Sequence, residues 1–191
     1  MTKIGLLGGT FNPPHTAHLV IAQEALMTLG LSEVWFIPVH TPPHKTREQM
    51  ASPEERFIMT QKATQHNDKF NVSDIELTRK GPSYTIETVK TLKKQTTDTE
   101  FYFIIGGDMA EQLDRWKDIH ELKSMVTFVI ADRPGFSSHS AHRENESVHV
   151  HVPQMDISST MIRKRYAAGK NIRYYVADEV WRFIKERDLY G

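Results

Sequence analysis

Residues 3–30 read KIGLLGGTFNPPHTAHLVIAQEALMTLG. KIGLLG is a short apolar run with the length and composition of a buried strand. In the last third, Leu19, Ala22, Ala25, Leu26 and Leu29 recur at helical spacing, and Gly30 is a stop signal. Between them lies GGTFNPPHTAH, residues 8–18, which is therefore a strand-to-helix turn near the start of a βαβ unit. Gly8 and Gly9 let the backbone approach a ligand closely, and a helix N-terminus offers unpaired N–H groups to an anion. His15 and His18, three apart, share one face of the first helical turn. The combination suits phosphate, although a structural glycine turn with two surface histidines fits the same residues.

The remaining pattern alternates strands and helices. EVWFIPV (33–39) reads as a second buried strand, followed by HTPPHKTREQMAS, a loop too polar for a core. Ser52 is placed as an N-cap, with Pro53 at N1 and Glu54 and Glu55 in the first turn of a helix reaching about His66. FNVSDIEL (70–77) alternates as a strand, and RKGPS turns the chain. Ser83 is expected to cap YTIETVKTLKKQ, whose Ile86, Val89 and Leu92 share a face. EFYFIIGGD (100–108) is a strand ending in a glycine turn and an acid, and 109–124 hold one or two short helices. VTFVIADR (126–133) and SVHVHV (147–152) read as strands flanking an aperiodic loop. A helix begins at Ser158 or Ser159 and stops at Gly169, and VADEVWRFIKERD closes the chain.

Such alternation predicts an α/β fold. It is a single Rossmann-like, doubly wound, mainly parallel sheet with helices on both faces and a helical C-terminus. No repeat or linker divides the chain, so residues 1–191 are expected to form one domain. Ligands of these folds bind beyond the carboxyl ends of the strands, where the 8–18 turn and the Gly106-Gly107-Asp108 turn both fall.

Composition narrows the function. Lys plus Arg and Asp plus Glu both total 24, so no bulk basicity argues for nucleic acid, and an anion site has to be local. Absence of cysteine removes disulfides and thiolate chemistry and fits a reducing cytoplasm. Neither a signal peptide nor an apolar run of membrane-spanning length is present, so a cytoplasmic location is expected. Oligomeric state is left open by the sequence, and a homo-oligomer is compatible with it.

Neither GxxxxGK[ST] nor GxGxxG occurs. The 8–18 stretch instead resembles the (H/T)xGH signature of the nucleotidyltransferase superfamily, and GGTFNPPH is close to the GGTFDPPH of bacterial nicotinate-nucleotide adenylyltransferases. Ala17 stands where that signature usually has glycine. Three more stretches resemble the same family in order: SDIELTRKGPSYTIET (73–88), IGGDM (105–109) with the DRWKD segment after it, and ISSTMIR (157–163). The resemblance implies adenylyl transfer from ATP, accompanied by Mg²⁺, to nicotinate mononucleotide, giving nicotinate adenine dinucleotide and pyrophosphate in NAD biosynthesis. No resident metal site is expected.

By the resemblance, His15, His18 and Arg163 are catalytic. ATP would meet Gly8, Gly9, Thr10, Phe11, His15, His18, Gly106, Gly107 and Asp108, and then Ile157, Ser158, Ser159, Thr160 and Arg163. Tyr84, Thr85 and Trp116, with His44 and Lys45 from the proline-rich loop, would meet nicotinate mononucleotide.

Each stretch also has a plain structural explanation. Ser158–Arg163 fits an ordinary Ser/Thr helix cap, Asp108 an N-cap, Trp116 a core residue, and His44 and Lys45 a solvated loop. His139, His142, His149 and His151 suggest zinc, but no acid or thiolate is spaced along the sequence to complete a site. Two other functions stay open. One is a related transferase acting on nicotinamide mononucleotide or a phosphopantetheine, against which the SYT stretch and Trp116 argue. The other is a catalytically silent nucleotide-sensing module.

Overall fold

The computed structural model describes residues 1–41, 50–79, 81–132 and 147–191. Six strands form one sheet in the order β3-β2-β1-β4-β5-β6, with all five pairings parallel. They are β1 (Thr2–Gly9), β2 (Glu33–Pro38), β3 (Phe70–Val72), β4 (Thr99–Gly106), β5 (Thr127–Asp132) and β6 (Ser147–His151). Strand order reverses between β1 and β4, which opens a crevice at their carboxyl ends.

Both faces of the sheet are covered, which is why its strands read as continuous apolar runs. On one face Ile4, Leu6, Phe103 and Phe128 pack with Ile86, Val89 and Leu92 of α4 (Thr85–Gln95) and Leu122 of α6 (Ile119–Met125). On the other, Leu7, Phe36, Ile104 and Val129 meet Ala22, Ala25 and Leu26 of α1 (Thr16–Thr28). A third cluster joins Met59 of α2 (Pro53–Thr64), Ile162 of α7 (Ser159–Ala167), and Val180, Phe183 and Ile184 of α8 (Asp178–Arg187). This last cluster holds the helical C-terminus beside the carboxyl edge of the sheet. Among the described residues no helix is long and apolar enough to cross a membrane.

Two local expectations are corrected. The strand expected over 70–77 stops at Val72, and 75–79 form a short helix, α3 (Ile75–Arg79). Asp74 begins that turn: its carbonyl accepts from Thr78 N–H at 2.9 Å and its carboxylate from the Thr78 hydroxyl at 3.3 Å. Glu76 is thereby buried, where it accepts from the Thr88 hydroxyl at 2.7 Å. Ser83 does not cap α4 either. Tyr84 is the N-cap and makes no side-chain cap bond, while Ser83 Oγ accepts from the His40 N–H at 3.1 Å. In contrast, the expected cap of α2 forms in full, with Ser52 Oγ accepting from Glu55 N–H and the Glu55 carboxylate accepting from Ser52 N–H. The 109–124 stretch divides among α5 (Gly107–Ala110), a 3₁₀ turn (Leu113–Arg115) and α6.

Candidate active site

The turn after β1 is held by its aromatic residue. Phe11 lies at φ +49°, a left-handed conformation that costs a non-glycine residue about 1–2 kcal/mol. This directs its ring into the core, packed edge-on to His18 at 5.0 Å and against Phe36 at 5.8 Å. Burying such a ring contributes roughly 1.5–3 kcal/mol, enough to offset the strain. Gly9 is required by the same packing, since a Cβ there would lie 2.9 Å from the Phe11 ring. Phe11 can therefore meet a nucleotide only through its backbone.

His15 is the N-cap of α1, and its ring stacks on that of His18 with centroids 3.7 Å apart. The backbone N–H of His15 donates to His18 Nδ1 at 3.1 Å. A backbone N–H can only donate, so Nδ1 presents its lone pair and the neutral His18 ring carries its proton on Nε2. That proton is what an incoming phosphate would meet. The N-terminus of α1 is partly occupied by the protein itself: Thr16 N–H donates to the Tyr175 carbonyl at 2.9 Å, and His18 N–H to the His15 carbonyl at 2.9 Å. Ala17 is buried in the first turn.

The ISSTMIR segment docks on this turn from 150 residues away. Ser158 caps α7 by accepting from Met161 N–H at 3.2 Å. Ser159 Oγ donates to the Pro13 carbonyl at 2.9 Å, and Arg163 Nη1 to the Asn12 carbonyl at 2.9 Å. Arg163 Nη2 reaches Thr160 Oγ1 at 3.4 Å, while Ile157 packs toward the α2–α8 cluster. The hydroxyl–guanidinium group expected from sequence is thus assembled, with one arm of the Arg163 fork already bound to the turn. The Thr160 hydroxyl, the N–H groups of Ser159 and Thr160 at the start of α7, an imidazole N–H and a guanidinium are thereby brought to one turn, each a donor suited to an anion, whereas the Ser159 hydroxyl spends its proton on Pro13.

Gly106 and Gly107 lie at the carboxyl end of β4, beside the end of β1. Asp108 is exposed in α5, whose N-cap is Gly106, so the alternative explanation of Asp108 as an N-cap does not hold. A Cβ at Gly106 would lie 2.8 Å from Asp108 Oδ1.

On the other side of the crevice, Trp116 is half-buried, edge-to-face against Phe103 at 5.7 Å and Phe128 at 6.2 Å. Its neighbour Lys117 lies over the Tyr84 ring at 4.7 Å and 3.5 Å from Glu87 Oε1, which brings the 116–117 segment to the start of α4. Trp116, Tyr84 and Thr85 accordingly border one corner. His44 and Lys45 lie outside the described residues, as do His139 and His142.

Four residues escaped the sequence analysis. Arg56 is 1% exposed in α2, with Nη1 donating to the Thr10 carbonyl at 2.8 Å, Nη2 to the His40 carbonyl at 2.9 Å and Nε to the Ala51 carbonyl at 3.2 Å. Burial lowers its pKa from the ordinary value, though an arginine remains charged. Removing such a cation from water costs several kcal/mol, and three charge-assisted bonds of about 1.5–3 kcal/mol each are of the size needed to offset it. Asn12, 5% exposed, accepts at Oδ1 from Ala51 N–H at 3.1 Å and from the Tyr190 hydroxyl at 2.8 Å. Lys117 is the fourth. An arginine inside an ordinary helix pattern and a tyrosine after the last helix carry no sequence signal of these roles.

The zinc suggestion is corrected in one detail. An acid does reach these histidines: Asp132 Oδ2 lies 2.6 Å from His149 Nδ1. Among the described residues, however, no three potential ligands converge.

Comparison with known proteins agrees with this geometry. The cytidylyltransferase-like family model matches residues 6–165. A protein of Shouchella clausii is 52% identical, with 100% of this chain and 98% of its own length aligned. One from Halalkalibacterium halodurans is 49% identical over 100% of this chain and 92% of its own. Both are named probable nicotinate-nucleotide adenylyltransferase. Among solved structures, the Plasmodium falciparum nicotinic acid mononucleotide adenylyltransferase complexed with NaAD superposes with a TM-score of 0.79 at 19% identity, covering 100% of this chain and 98% of that one, and so shows the shared fold. Sheet order, docked motifs and full-length identity lead to one conclusion: this chain belongs to the nicotinate-nucleotide adenylyltransferase family of cytidylyltransferase-like proteins.

Proposed function

We propose that this chain, as a single 191-residue nucleotidyltransferase domain, transfers the adenylyl group of ATP to nicotinate mononucleotide in NAD biosynthesis. The products are nicotinate adenine dinucleotide and pyrophosphate. The observation that carries this is the docking of Ser159 and Arg163 onto the Pro13 and Asn12 carbonyls, which unites the two phosphate-suited motifs beside His18.

An oxygen of the acceptor phosphate attacks the α-phosphorus of ATP, and the bond from that phosphorus to the bridging oxygen of pyrophosphate breaks. The acceptor oxygen is already anionic, so no general base is required. What the protein supplies is alignment and donors for the charge gathering on the leaving group. His18 gives Nε2–H, Arg163 its remaining guanidinium N–H groups, and the α7 N-terminus its backbone N–H groups with the Thr160 hydroxyl, while the Ser159 hydroxyl, bound to the Pro13 carbonyl, holds the segment in place. Gly8, Gly9 and Thr10 admit the phosphates, and Gly106, Gly107 and Asp108 lie by the ribose. Tyr84, Thr85 and Trp116 receive the pyridine ring. Mg²⁺ would enter on the phosphates as part of the ATP substrate.

A pyrophosphate-release assay with ATP, Mg²⁺ and a panel of mononucleotides tests this directly. Turnover is expected with nicotinate mononucleotide above nicotinamide mononucleotide and none with phosphopantetheine. Absence of release with every acceptor would leave a nucleotide-binding module.

A further inference from the structure

The two halves of the site hang on different strands. Phosphate-binding turn 8–18 follows β1, whereas the acceptor corner at Tyr84–Thr85 opens α4, whose start is tied by the His40–Ser83 bond to the residues that follow β2. β1 and β2 are neighbours, so the two halves start from strand ends about 4.8 Å apart. A displacement reaction needs its attacking oxygen and phosphorus within about 3–3.5 Å, so the relative placement of two separately held substrates must be fixed to a fraction of that.

A continuous connection crosses this gap at the end of β2. Arg56 Nη1 holds the Thr10 carbonyl at 2.8 Å, and Nη2 of the same guanidinium holds the His40 carbonyl at 2.9 Å. His40 in turn donates its N–H to Ser83 Oγ at 3.1 Å, and Thr41 bridges Pro82 in parallel. Ser83 is the residue before the N-cap of α4. The donor turn and the acceptor helix are therefore joined through one buried planar fork and one hydroxyl. Arg56 is rigid in this position because its three hydrogen bonds end on three different segments and it is 1% exposed.

We propose that Arg56 and Ser83 are positioning residues that set the distance between the ATP phosphates and the acceptor phosphate. This rests on the adenylyl-transfer reading of the site. Neither residue needs to touch a substrate. Loosening the connection should leave each half able to bind its own ligand while the two are misaligned for reaction.

The test uses the full chain with Ser83→Ala, Ser83→Thr and Arg56→Lys. Each variant is compared for steady-state pyrophosphate release, for separate equilibrium binding of nicotinate mononucleotide and of a non-hydrolysable ATP analogue, and for Tm. Ser83→Ala is expected to lower kcat about tenfold or more, since a misplacement near 1 Å can cost 10²-fold. Its dissociation constant for either ligand alone should stay within about twofold. Ser83→Thr, which keeps the hydroxyl, should recover most of the rate. Arg56→Lys should lower kcat likewise, because one ammonium cannot span both carbonyls as the fork does. If Arg56→Lys does not fold, the half-exposed Ser83 pair still decides the matter. Unchanged kcat in Ser83→Ala would overturn the proposal, and so would a loss matched by weaker binding of one ligand. Absence of turnover in the unaltered protein would instead overturn the adenylyl-transfer reading before any variant is compared.

Discussion

The Tyr190 hydroxyl donates to Asn12 Oδ1 at 2.8 Å, joining residues 178 apart in sequence across the underside of the phosphate-binding turn. Tyr190→Phe removes this bond, while the Ala51 N–H still donates to Asn12 Oδ1. The expected loss is about 1 kcal/mol, or roughly 2–4 °C in Tm for a chain of this size. Burial raises the Tyr190 pKa above its ordinary 10.0. A raised folded-state value means its contribution is complete below pH 10.0 and fades as pH climbs from there through the higher folded value. Chemical denaturation at pH 7 to 11 should show the gap between the two proteins narrowing at the alkaline end. A constant gap would mean the phenol does not titrate with unfolding.

His18 gives the sharpest catalytic prediction. Its Nδ1 is held by the His15 N–H, so Nε2–H is its only ring donor when neutral. His18→Ala should reduce kcat by about 10²-fold or more, as for loss of one charge-stabilising donor, with circular dichroism unchanged. A folded variant with near-normal turnover would remove His18 from the mechanism.

For Arg163, charge and geometry can be separated. The guanidinium spans the Asn12 carbonyl and the Thr160 hydroxyl. Arg163→Lys retains the charge but cannot hold both and still present a planar edge to phosphate. The KM for ATP should rise several-fold and kcat should fall. ATP kinetics indistinguishable from the unaltered protein would reduce α7 to a capped helix.

Acceptor choice turns on the start of α4. Tyr84 makes no side-chain cap bond and the Glu87 N–H turns back to the Tyr84 carbonyl at 3.1 Å, so the N–H groups of Thr85 and Ile86 are the first-turn donors for the carboxylate of nicotinate. The amide of nicotinamide would turn donor against donor, at about 1–3 kcal/mol or roughly ten- to a hundredfold. Sequence offered no cation within GPSYTIET, but the structure brings Lys117 to Tyr84. Lys117 and Glu87 are both well exposed and paired, so Lys117→Met should change the preference by less than about threefold. Trp116→Ala should weaken both acceptors. Collapse of the preference in Lys117→Met would reassign it from the backbone to that side chain.

Sheet and helices were legible wherever burial imposed a period. β1, β2, β4 and β5 are apolar because both faces are covered, and the caps at Ser52 and Ser158 sit where their side-chain chemistry requires. The 73–77 stretch was misread because Glu76 alternates like a solvent-facing strand residue, whereas its carboxylate is buried on Thr88. Ser83 looked like a cap because hydroxyls usually serve nearby backbone; its actual donor is 43 residues away. Similarly, Phe11 lies within the recognisable motif, but only the left-handed backbone at that position shows that its ring belongs to the core. Contacts between distant segments, such as those of Arg56 and Tyr190, leave no local trace for a sequence to display.

The balance of acids and bases gives the molecule as a whole no attraction for ATP. Arg56 changes the potential where it matters. Its hydrogen bonds end on carbonyl dipoles, and among the described residues no carboxylate lies within ion-pair distance of it. Dipoles stabilise a cation without cancelling its monopole, so a full positive charge persists beneath the turn that receives the phosphates. Being buried, that charge is screened far less by salt than a surface lysine would be. Attraction for ATP should accordingly hold up as ionic strength rises, with the field supplied from inside the protein.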